Sequence, residues 1–312
     1  MSVKMSTRKF LNPQILKALT AAVLMLSSVA VVAAPYDIQL RGLGRPETRD
    51  SLSDPAIKRF RYLVNELGTV IAPRVLAPAD TLGMSGFEFT MVSTFADISE
   101  SEDWWTGQPG SPVFQGVNAD GRGLPRAMFV PSVHIRKGLP YSVEVGVTGS
   151  YLAYSSMFSL GAEIKTAIYE SYYRWVPALG ARLAFGTLFG TPELTLTTAE
   201  ADILASLPIG IGGVVQLNPY VGGGVMVVDA TSGLIDETPW EVDDPKDQRG
   251  GSTGSLYTFP RMPWYENRST RILVGTKLKF YAFAVLWESS FVLLGPSDDM
   301  LSSHSFKFGF DI

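Results

Sequence analysis

From about residue 86 to the C-terminus, apolar and polar positions alternate one by one. In 305–312, Phe306, Phe308, Phe310 and Ile312 share one face, and Ser305, Lys307, Gly309 and Asp311 share the other. Tyr141, Val143, Val145 and Val147 alternate with Ser142, Glu144, Gly146 and Thr148. Phe158, Leu160, Ala162 and Ile164 alternate with Ser159, Gly161, Glu163 and Lys165, and 179–186 and 272–279 repeat the pattern. A period of two is that of a β-strand with two different faces. Two structures fit: a soluble β-sandwich or barrel with its apolar face inward, and a membrane barrel with that face outward to lipid. The segments are near the length that crosses a bilayer. Aromatics stand near segment ends at Tyr141, Tyr151, Tyr169, Tyr220, Tyr281 and Trp287, where an interfacial girdle would lie. The polar face carries Gly and charges of both signs, which the buried face of a sandwich would not. The expected fold is all-β: a transmembrane antiparallel up-and-down β-barrel.

Ten strands are expected, at 86–97, 128–137, 141–153, 157–170, 177–189, 193–206, 217–230, 269–279, 281–294 and 301–311. Pro131 within the second, and the ambiguous stretch 207–216, leave eight to twelve open. The longest connections, 98–127 and 231–268, follow odd strands, whereas 138–140 and 280–281 are tight and follow even ones. That parity suits long extracellular loops and short periplasmic turns.

The first 33 residues break the pattern. Lys4, Arg8, Lys9 and Lys17 precede an uncharged apolar run, and Val31 and Ala33 suit a cleavage site, so 1–33 reads as a signal peptide cut near Ala33. Its loss removes four bases and no acid, making the exported chain more acidic than the formal −4. In 34–85, Asp54 and Pro55 can start a helix. Ile57, Phe60, Leu63, Val64 and Leu67 follow helical spacing, Lys58, Arg59 and Arg61 lie opposite, and Gly68 can end it. The expected organisation is therefore a leader (1–33), a periplasmic or lumenal helical segment (34–85) and a barrel (86–312). The helix reads as a lumen plug, or as a helix resting on the rim.

Phe306, Phe308, Phe310 and Ile312 resemble the C-terminal sorting signal of bacterial outer-membrane β-barrels, with Ile312 in place of the ideal terminal Phe. Val133–Pro140 with the following Tyr-Ser-Val-Glu-Val, and Phe189–Thr197 with Asn218–Gly223, look like segments of a group of proteobacterial outer-membrane barrels. The resemblance implies a fold and an outer-membrane location, with lipid, lipopolysaccharide and the barrel-assembly machinery as partners. It brings no activity with it.

Alternation assigns Glu88, Glu144, Glu163, Glu200, Asp202 and Glu288 to the lumen, with Arg136, Lys165, Arg182, Lys277, Lys279 and Lys307. Balanced signs suit an interior ion-pair network better than a charge-selective pore, and a barrel of about ten strands is near the size that side chains can fill. No enzyme is expected. The chain has only two histidines, His134 and His304, and no nucleophile-elbow motif. A Ser/His/Asp grouping of His304 with Ser302, Ser303, Asp298 and Asp299, as in an outer-membrane hydrolase, is a remote alternative. Asp236, Glu237, Glu241, Asp243, Asp244 and Asp247 lack EF-hand spacing and read as solvated surface. Trp104 and Trp105 suit a loop folded over the mouth, and Asn118–Gly123 reads as turn chemistry. With no Cys there is neither a disulfide framework nor a thiolate metal site. No metal or cofactor is expected, and the acidic balance argues against nucleic acid. The leading functional expectation is a narrow or plugged channel for a small, hydrophobic solute. The alternative is a structural or adhesin-like surface barrel acting through its long loops.

Overall fold

The computed structural model describes residues 34–48, 53–108, 111–114, 123–171, 175–212, 214–237 and 256–312. The leader, positions 118–122 and the acidic positions 241–247 lie outside the described residues.

Ten long antiparallel strands form the wall: β1 (Phe87–Asp97), β2 (Ala127–Leu139), β3 (Val143–Tyr151), β4 (Phe158–Tyr169), β5 (Ala178–Phe189), β6 (Leu194–Ser206), β7 (Val215–Ser232), β8 (Arg268–Phe280), β9 (Phe283–Leu294) and β10 (Met300–Asp311). Each pairs with its neighbours in sequence, and β10 pairs with β1 from Glu88–Asp311 to Ala96–Ser303, so the sheet closes. Closure leaves no edge strand unpaired. Pro131 stays inside β2, opposite Ser93 and just past the last β2–β3 pair, Ser132–Ser150. The stretch 207–216 adds only a short strand, Ile209–Ile211, folded onto the start of β7.

Along the strands, burial alternates with the sequence pattern, interrupted in β9 by the buried run of Glu288, Ser289 and Ser290. Leu183, Ile203, Ile272 and Phe308 are each more than half exposed on the outer face. In water such a continuous apolar exterior would far exceed the few hundred Å² a soluble monomer tolerates. Its solvent is hydrocarbon, and the fold is a transmembrane β-barrel. At one end lie the short β2–β3 and β8–β9 turns, with Tyr141 and Tyr281 exposed there, and the last residue, Ile312, hydrogen-bonded to Phe87. At the other end lie the β1–β2 and β7–β8 connections. Tyr220 is not in a girdle. It is 1% exposed and turned inward, over Gly275, whose missing side chain makes the room.

Inside the wall runs α1 (Pro55–Ile71). The Asp54 carboxylate accepts the Ala56 N–H at 2.9 Å, and Pro55 at the first position gives up no intrahelical bond. Gly68 does not end the helix. A Cβ there would come within 2.7 Å of Val228 Cγ2, so the glycine allows the helix to lie against β7. The helix stops at Ala72, before Pro73, because the residue preceding proline is disfavoured in helical conformation. From Ala72 the chain continues as a strap down the lumen to β1.

Candidate functional site: a filled lumen and its cap

The helix presents Ile57, Phe60, Leu63, Val64 and Leu67 at no more than 1% exposure. They pack in one cluster with the inward residues Met128, Val130, Leu188, Leu196, Met226, Val228 and Val292 of the wall. Burying side chains of this size stabilises by roughly 1.5–3 kcal/mol each. The helix therefore packs against the inner face of the wall toward the long-loop end.

Its polar side reaches the loops. Glu66 is fully buried, and its carboxylate accepts the indole N–H groups of Trp104 and Trp105 at 2.8 and 2.7 Å and the Ser99 backbone N–H at 3.0 Å. The two tryptophans belong to a one-turn helix, α2 (Asp103–Thr106), folded over the mouth. Arg59 reaches Asp103 at 3.2 Å, and Arg61 donates to Asn267 at 2.9 Å. Phe60 stacks on Phe259 and Trp105 on Phe114. Residues 34–48 weave into the same layer. Gln39 N–H donates to Val113 O at 2.7 Å and Leu40 N–H to Glu193 Oε2 at 2.6 Å, and burial raises the Glu193 carboxyl. Plug, N-terminal segment and loops thus form one packed cap.

The other half of the lumen is ionic. Arg182 spans Glu163 at 2.6 Å, Glu200 at 2.9 Å and Asp202 at 3.0 Å, and Arg271 meets the same Glu200 and Asp202. Glu163 also meets His134 Nε2 at 2.9 Å. Arg136 joins Glu88 and Glu144 at 2.7 Å each, and Lys165 meets Glu144 at 2.9 Å. Lys277 bridges Glu88 and Asp311, Lys307 pairs with Glu88, and Lys279 with Asp311 at 2.8 Å. Glu288 instead accepts from Tyr220 Oη at 2.8 Å and Leu76 N–H at 2.9 Å. All twelve sequence-assigned charges lie on the inner face. All but Lys279 are buried, and its side chain is one-third exposed.

Sequence reasoning missed Arg271 and Asp311. Both continue the alternation already read in their strands: Arg271 lies two positions before Leu273, and Asp311 shares the polar face with Lys307. They keep the signs balanced. It also missed what the network holds. Arg182 donates to the carbonyls of Pro73 and Arg74 at 3.1 Å, Lys307 to Leu76 O at 2.7 Å, and Lys165 to Pro78 O and Asp80 O at 2.6 and 2.8 Å. Ala79 N–H donates to Ser206 Oγ and Leu82 N–H to Glu144 Oε2. The glycines of the polar face have a use here. At Gly161 and Gly186 a Cβ would come within 3 Å of the Pro73 ring. A polar cavity of about 130 Å³ remains at the short-turn end, lined by Asp80, Arg136, Asn218, Lys277, Lys279 and Asp311.

His304 finds a different partner from those the sequence suggested. Its Nδ1 lies 2.7 Å from Ser289 Oγ, across β9–β10 on the outer face, whereas Ser302 bonds Asp97. Ser289 is only 3% exposed, which leaves a substrate no access to its hydroxyl. Among the described residues no cluster of metal-ligating side chains occurs.

No protein-family model matches the chain, and no curated protein matches it. Solved structures similar to it include the attachment invasion locus protein Ail of Yersinia pestis, at 12% identity over 73% of this chain and 99% of that one, TM-score 0.25. The N-terminal β-barrel domain of Pseudomonas aeruginosa OprF is similar at 12% identity over 74% and 99%, TM-score 0.27. The translocator domain of the autotransporter NalP from Neisseria meningitidis is similar at 11% over 73% and 88%, TM-score 0.29. On its own geometry, a closed antiparallel sheet with an apolar exterior and an interior filled by a helix and an ionic network, the chain is a transmembrane β-barrel of the outer-membrane type.

Proposed function

We propose that the protein is a sealed, non-enzymatic barrel of the bacterial outer membrane that works at the cell surface through its cap. It is exported by a leader cut near Ala33 and is set among lipid and lipopolysaccharide by the barrel-assembly machinery. The observation that carries this reading is the junction at Glu66. One carboxylate ties the plug to Trp104, Trp105 and Ser99 of the first long loop, which joins plug and loop in one hydrogen-bonded unit. A filled interior suits a scaffold better than an open passage.

Solute passage is the second reading, favoured by the polar cavity at the short-turn end. A path from that cavity would require the strap to leave its wall partners. Single-channel recording of the refolded full chain in planar bilayers separates the two. The sealed reading expects insertion, shown by protease protection, without current steps. Steady open steps at rest would replace it with the channel reading.

A further inference from the structure

We propose that the chain crosses the outer membrane inside its own barrel, so that residues 34–48 stand on the cell surface while Met84 stands at the periplasmic rim. This rests on the outer-membrane placement above and adds a sidedness that placement alone does not contain.

The short turns and the last strand's end mark the periplasmic side of such barrels, and the long loops mark the outside. Residues 84–86 lie on the short-turn side. Gly138 N–H donates to Gly86 O at 2.9 Å and Lys137 Nζ to Ser85 O at 2.9 Å, one turn away from Tyr141. Traced backward from there, the contacts climb the wall in order. Leu82 meets Glu144 near the foot of β3, Pro78 meets Lys165, and Leu76 meets Glu288 in mid-β9. Pro73 meets Arg182, Glu66 meets the first long loop, and Arg45 meets Glu237 beyond the end of β7.

The lengths suffice. The 17-residue helix rises about 26 Å at about 1.5 Å per residue. The extended strap adds about 3.3 Å per residue. Together they exceed the roughly 25 Å apolar band of a barrel.

The crossing is fixed in place, because the wall holds the strap by its main chain. Five strap carbonyls and three N–H groups are bonded to lumenal side chains. One consequence is that the surface offered to any partner includes residues 34–48 as well as the loops.

The chain has no cysteine, so single-cysteine variants report position without background. Glu47→Cys, Leu234→Cys and Met84→Cys sit at exposed positions: the N-terminal segment, a long loop and the strap foot. Each is expressed in the full chain, its folding checked by unboiled gel mobility, and treated on intact cells with a membrane-impermeant maleimide. The proposal expects Glu47→Cys to label as fully as Leu234→Cys, and Met84→Cys to label only after the outer membrane is permeabilised. Protection of Glu47→Cys beside a labelled Leu234→Cys overturns the crossing and leaves the outer-membrane placement standing. Protection of Leu234→Cys as well overturns the placement and the crossing together.

Discussion

The two halves of the lumen fill the same cylinder by opposite means. Toward the loops, a helix meets the wall through apolar side chains, and the inward positions it packs against include Leu, Met and Val. Toward the short turns, an extended strap is held at its backbone by charged and polar side chains, while Val75, Leu76 and Ala79 pack on Leu204, Leu273 and Leu286. The contrast follows from what each segment exposes. A helix satisfies its own N–H and C=O groups, so a wall around it can be oily. An extended strap leaves those groups open, and buried unpaired backbone groups are costly, so the wall around it must supply hydrogen-bonding side chains. The lumenal charges therefore do more than neutralise one another. They supply the strap with the hydrogen bonds a neighbouring strand would have given.

The two halves should fail differently. The largest loss is expected at Arg182→Ala, which removes the partner shared by Glu163, Glu200 and Asp202, leaving Glu163 only His134 and the other two only Arg271, and releases the Pro73 and Arg74 carbonyls. Breaking a buried pair this way costs about 3–5 kcal/mol, read as a lower urea midpoint in lipid vesicles. Phe60→Ala leaves a cavity beside Phe259 and is expected to cost about 3 kcal/mol on the same assay, with the ionic half intact. A larger loss for Phe60→Ala than for Arg182→Ala would reverse the comparison.

Glu66→Gln sharpens it at the junction with the cap. The amide has one carbonyl oxygen for two indole donors, so one donor loses its acceptor, at about 1–3 kcal/mol. The smallest effect is expected at Lys279→Ala, whose pair with Asp311 is partly solvated, at under about 1 kcal/mol.

Much of this was legible in the chain. Period-two alternation fixes which face of each strand meets lipid, and so it places Glu88, Arg182 and Lys307 inside without any knowledge of partners. The spacing of Ile57, Phe60 and Leu63 likewise marks a helix with one apolar side. Alternation also decides Tyr220, which sits between Pro219 and Val221 and so shares the inward parity of Gly222; nearness to a segment end was the weaker signal there. What the sequence conceals is relations between distant positions. Nothing near Glu66 announces that its partners are Trp104 and Trp105. Gly68 looks like a helix end because the Val228 side chain that explains it lies on another strand. Arg182 reads as one half of an ion pair, since its bonds to the carbonyls of Pro73 and Arg74 involve atoms every residue possesses and so leave no mark on the sequence.

The central claim is that plug, strap and wall are one body. Hydrogen exchange of the backbone amides in 55–82, in the folded full chain in lipid, tests it most directly. Amides of α1, and those of Leu76, Ala79 and Leu82 on the strap, should exchange as slowly as those of β5 and β6, opening only with the barrel. Exchange of these amides at the rate of an unprotected chain, beside fully protected strands, would contradict it and describe a loose segment in an openable pore.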